Sequence, residues 1–99
     1  MLLHIGGDVS IPLEKLICVL NAKGLSEDSR RYIERAKVER RYRACAGKPK
    51  AYVLINGYGN REIVVESHIA SATLQKRWKS ACLHEKIVEL AVLSVTAAE

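Results

Sequence analysis

The stretch RRYIERAKVERRYRACAGKPK, residues 30–50, sets nine Lys and Arg against two Glu, a local charge of +7. The chemistry open to such a run is anion contact. Guanidinium forks and ammonium groups meet phosphate oxygens through charge-assisted hydrogen bonds and need no reaction machinery to do so. The whole chain of 99 residues carries 16 Lys and Arg against 11 Asp and Glu, net +5, so everything outside the run sums to −2. The positive charge is local, and a local patch points to a polyanionic partner more strongly than a uniform excess would.

The cations of the patch fall on three kinds of local structure. Arg30, Arg31 and Lys37 sit in a helical pattern, Arg43 in a short extended stretch, and Lys48 and Lys50 flank Pro49 in a turn. A solvated helix face, paired with Glu34 and Glu39 at helical spacing, would account for the first group alone. A helix, a strand and a turn of one sign are better accounted for by contact with phosphates. Lys76 and Arg77, with Lys79, form either a second contact point or the polar side of the last helix. No spacing identifies a helix that reads bases. Trp78 reads as a core or interface anchor, because one aromatic makes a poor stacking platform.

Other chemistries find little to stand on. His4, His68 and His84 have no Ser or Cys beside them in a nucleophile setting, and Gly6-Gly7 and Gly57-Tyr58-Gly59 lack the Lys and Ser/Thr of a phosphate loop. Cys82-x-His84 is too short a motif for a metal site. Cys18, Cys45 and Cys82 are odd in number and widely spaced, which argues against a disulfide framework or structural zinc and fits a reducing cytoplasm. The expectation is no enzyme, no cofactor, no metal and no small-molecule substrate.

The elements that must position the cations follow from hydropathy. With no Phe, one Trp and four Tyr, the core is aliphatic, and this length holds one core. MLLHI reads as a first strand and not as a signal peptide, and no run approaches the roughly 20 apolar residues of a membrane helix. Val9 and Ile11 alternate before Pro12, and the unbroken run Leu16–Leu20 predicts a buried strand, central or between two layers. Ser26 is the expected N-cap of a helix fading near Glu39, with Tyr32, Ile33 and Ala36 on its inner face and Arg30, Glu34 and Lys37 outside. Tyr42 to Ala46 alternates as a short strand. AYVLIN and REIVVES, joined by GYGN, make a hairpin. Ser71 is placed to cap a last helix, continuous or broken near Ser80, in which Leu83, Ile87, Leu90 and Ala91 share a spacing; the apolar AVLSVTAAE is expected to dock on something. The fold class is α+β: a small, mostly antiparallel sheet with one amphipathic helix in the middle and a C-terminal helix.

Three segments in order, LHIGGDVSIPLEKLICVL, GKPKAYVLI and IASATLQKRW, together resemble the RemB branch of the extracellular matrix regulators RemA and RemB. The resemblance covers residues 1–78 as an α+β domain and leaves 79–99 as a C-terminal helical extension of the same domain. It implies a small cytoplasmic bacterial protein that binds double-stranded DNA, regulates transcription of biofilm matrix genes, and assembles with itself into rings offering DNA a repeated basic surface. Carried over by position, the family's basic residue before the buried strand matches Lys15, those of its Gly-containing turn match Lys48 and Lys50, and its helix arginine matches Arg30 or Arg31. Where RemA-type turns favour Arg this chain has Lys, which lacks the forked contact. Two other classes stay open: a protein-interaction scaffold working through the apolar C-terminal helix, and an RNA-binding module.

Overall fold

The computed structural model describes the backbone of residues 2–98 and the side chains of residues 2–84. Strands β1 (Leu2–Gly6) and β2 (Val9–Pro12) form a hairpin. Strands β3 (Leu16–Asn21), β4 (Tyr42–Arg43), β5 (Ala51–Asn56) and β6 (Glu62–Ser67) build a second sheet in the order β3-β5-β6-β4, antiparallel throughout except for β4 beside β6. Helix α1 (Glu27–Val38) links β3 to β4, and α2 (Ser71–Ala98) follows β6. The fold is thus α+β and mostly antiparallel as expected, with the strands divided between two sheets.

The four-stranded sheet is covered on both faces. Val19, Ala51, Val53 and Val65 pack with Leu3, Ile5 and Ile11 of the hairpin and with Leu74 and Trp78 of α2. On the other face Leu20, Tyr52, Leu54 and Val64 pack under Ile33 and Ala36 of α1. Two covered faces explain why β5 and β6 are apolar at successive positions instead of alternating. Each fully buried Val contributes about 1.5–3 kcal/mol relative to an exposed one. Ser67, 1% exposed, ties the layers together: its hydroxyl donates to the Ile5 carbonyl at 2.5 Å and accepts from the Ile69 N–H at 3.1 Å.

The strand β3 is an edge, not a central strand. Its apolar run comes from having a layer on each face, while among the described residues no strand lies beside its outer rim. Between Leu16 and Cys18 the register with β5 shifts, so Leu16 and Val19 share the hairpin face and Cys18 and Leu20 the helix face; Ile17, at the irregularity, is 42% exposed.

Helix α1 begins as its sequence requires. The Ser26 hydroxyl accepts from the Ser29 N–H at 3.1 Å, and Glu27 and Asp28 occupy the first turn, where the helix dipole favours negative charge. It ends with Arg40 N–H on the Lys37 carbonyl at 3.2 Å and Arg41 N–H on the Ala36 carbonyl at 2.8 Å, the two bonds of a Schellman cap. The left-handed position of that cap, φ 59°, is filled by Arg40 where Gly is the usual occupant.

Helix α2 starts at Ser71, so Ser71 is its first residue and not its cap, and it runs unbroken past Ser80. Leu74, Trp78 and Ala81 dock on the core, whereas Leu83 is 60% exposed. The spacing of Ile87, Leu90 and Ala91 and the docking of the last residues lie outside the described side chains. The extended stretch after α1 shrinks to Tyr42 and Arg43, the residues that pair with Val64 and Val65.

Candidate functional site

The cations do not converge on one rim; the structure distributes them over separate places. Most coherent is a cleft at the end of the four-stranded sheet where β3 stops and β5 starts. The register sets Asn21 opposite Ala51, and the Ala22 N–H donates to the Lys50 carbonyl at 3.1 Å. This pairing carries Lys23 to the turn that holds Lys48 and Lys50. All three line a cleft of about 590 Å³, with Ala70, Ser71 and Ala72 at the start of α2 as the facing wall.

That wall is electropositive in its own right. The first helical bond of α2 runs from the Leu74 N–H to the Ala70 carbonyl at 3.1 Å, which leaves the N–H groups of Ser71, Ala72 and Thr73 without an intrahelical acceptor. Among the described residues no side chain caps them. Three lysines and an uncapped helix start thus border the same concave space, a combination suited to phosphate oxygens.

The backbone beneath these lysines is held firmly. The Lys50 N–H donates to the Ser67 carbonyl at 2.8 Å. The Cys45 N–H donates to Glu66 Oε1 at 3.1 Å, and the Tyr42 hydroxyl donates to the other oxygen of that carboxylate. Lys48 and Lys50 are exposed side chains on an anchored turn, so little backbone ordering is required when an anion arrives.

The helix cations behave differently. Arg31 pairs with Glu27 at 2.9 Å, and Lys37 pairs with Glu34 at 3.5 Å while lying 5.0 Å from the Tyr42 ring centroid. Arg41 is bound to Glu39 at 2.8 Å and to the Glu62 carbonyl at 2.6 Å, beneath Tyr32. At Arg31 and Lys37 the solvated helix face is therefore what is found. Arg30 is exposed, with no ion-pair partner among the described residues.

The remaining candidates are scattered. Lys15 stands at the opposite end of β3, roughly 17 Å of strand from the cleft, with its ammonium 5.4 Å from the Tyr58 ring centroid. Arg43 borders a smaller hollow beside Gly6 and Gly7. Arg77 donates to the His4 carbonyl at 3.3 Å, a structural tie between α2 and β1, and Lys76 is exposed on α2 just beyond the cleft wall. Lys48 and Lys50 are thus together, Lys76 is near, and Lys15, Arg43 and the α1 cations are elsewhere. Lys23 joins the site although it lies outside the basic run; only the β3–β5 pairing reveals it.

Among the described residues no three His, Cys, Asp or Glu side chains are grouped to hold a metal, and no helix is long and apolar enough to cross a membrane. Neither a family model nor a curated protein matches this chain.

Proposed function

We propose that the chain is a small DNA-binding protein that grips the phosphate backbone of a duplex through the cleft of Lys23, Lys48 and Lys50, and that it acts in the bacterial cytoplasm as a transcriptional regulator of the kind its RemB-like segments imply. The observation that carries the reading is the meeting of three lysines and an uncapped helix start around one concavity on an anchored turn. Phosphate contact of this type is independent of sequence, since ammonium groups supply charge and no base pattern.

One such cleft is a weak binder at physiological salt, because each phosphate neutralised adds modestly and counterion release is screened. Self-assembly answers that weakness by repeating the cleft along a duplex. It also offers a role for Lys15. Within one chain Lys15 and Lys48 occupy opposite ends of the sheet, so a joint surface requires Lys15 of one copy beside the cleft of another.

The test is a titration of a labelled duplex at about 0.1 and about 0.2 M salt, with light scattering for the mass of the assembly. Lys48→Ala with Lys50→Ala should weaken binding to unrelated duplexes alike and lower the slope of log K against log salt by about 2. Unchanged affinity in the double variant would remove the cleft from the reading, and preference for RNA over duplex DNA would redirect it to the RNA class.

A further inference from the structure

The outer edge of β3 carries unpaired backbone. Because Ala22 directs its N–H to the Lys50 carbonyl, the period of two along an antiparallel pair turns Leu20 and Cys18 toward β5 as well. Val19 and Asn21 then point their N–H and C=O groups outward, where no strand among the described residues pairs with them. Natural edges are normally blunted by Lys, Pro or an inward charge. The strand LICVLN has none of these, and its one irregularity, at Ile17, affects only the first half.

Beside this edge, on the α1 side, opens a cleft of about 290 Å³ whose walls are Cys18, Leu20, Tyr32 and Leu54. Its charged lining is Asp28 and Glu62, and among the described residues no Lys or Arg lines it. In a chain of net +5 this is a local reversal of sign. A strand added to the edge sends every second side chain toward the α1 face, so an apolar residue would enter the cleft and a residue two positions along would meet the carboxylates.

We propose that the outer edge of β3 accepts an extended segment of another protein as a fifth strand, one in which an apolar residue for the cleft is followed two positions later by Lys or Arg. The charge of the cleft selects this occupant over a second copy of the chain. Antiparallel self-pairing about the middle of Leu16–Asn21 brings two acidic clefts together on one face. Like charges opposed across a pair are destabilising. The lysines of the phosphate cleft lie beyond the end of this edge, and Asn21, the last residue of β3, borders both.

The probe is a fluorescein-labelled peptide, Ac-TVTKTVT-NH2, titrated against the full chain, with Ac-TVTETVT-NH2 as the charge-reversed control. The Lys peptide should bind saturably, with the Glu peptide weaker by about tenfold or more, and Asp28→Asn should narrow that gap. Amide exchange followed by NMR should show Val19 and Asn21 exchanging fast in the free protein and slowing on peptide addition, with Leu20 protected throughout. Equal affinity for the two peptides, no binding of the Lys peptide, or a Val19 amide already protected in a self-associated sample would each overturn the proposal. Ile17→Lys, a charge at the exposed edge position, should abolish peptide binding while leaving the duplex titration as it was.

Discussion

The Lys50 N–H is bound to the carbonyl of Ser67 at 2.8 Å, and this bond joins the basic turn to the most deeply connected polar residue of the core. The same Ser67 holds β1 through Ile5 and the approach to α2 through Ile69. Removing its hydroxyl leaves the Ile5 carbonyl and the Ile69 N–H without that partner. Ser67→Ala should lower stability by about 1–3 kcal/mol, seen as a fall in Tm of several degrees or more, at unchanged core volume within one atom.

Ala70 offers a way to separate stability from binding. It occupies the N-cap of α2 without an oxygen to offer the three free N–H groups. Ala70→Asp should stabilise the protein by about 0.5–2 kcal/mol in thermal unfolding. It should also weaken duplex binding, because the new carboxylate occupies the wall of the lysine cleft. An Asp variant that is both more stable and equally tight would show that the helix start takes no part in anion contact.

Arg40 stands where a residue without a side chain is favoured. Arg40→Gly should stabilise the chain by about 0.5–1 kcal/mol in denaturant unfolding, since the cap bonds to Lys37 and Ala36 remain and the left-handed strain is relieved. Arg31→Ala, by contrast, should move stability little, because its pair with Glu27 is exposed.

The thiol of Cys18 is pushed up from its ordinary pKa by burial, and the Glu62 carboxylate adds to the effect. Thiolate is the reactive form, so a raised pKa leaves less of it at any given pH. Alkylation of Cys18 at about pH 8 should therefore be slower in the folded chain than in urea, and its rate should climb at higher pH in the folded state, as read by mass spectrometry of the Cys18 peptide.

Helix α1 and the β5–β6 hairpin were legible in the sequence because their signals are local: a Ser cap three residues before the N–H that donates to it, a helical stripe of Tyr32, Ile33 and Ala36, and two apolar runs around GYGN. The edge position of β3 was not. Its unbroken apolar run reports layers above and below, while being an edge is decided by which distant strand lies alongside. Lys23 was missed for a related reason. It is remote from the basic run along the chain and meets Lys48 only through pairing between residues about thirty apart. The run itself overstated the patch, since Glu27 and Glu34, one turn from Arg31 and Lys37, neutralise part of it.

The hairpin of β5 and β6 is inserted between two strands that precede it in the chain. During synthesis β3, α1 and β4 emerge first, yet in the finished sheet they stand about 14 Å apart with nothing to bond until the hairpin slots between them. The nascent chain thus waits with an empty space at its centre. Translation arrested before Ala51 yields no smaller version of the sheet, only the apolar strand β3 exposed to whatever else is in the cell.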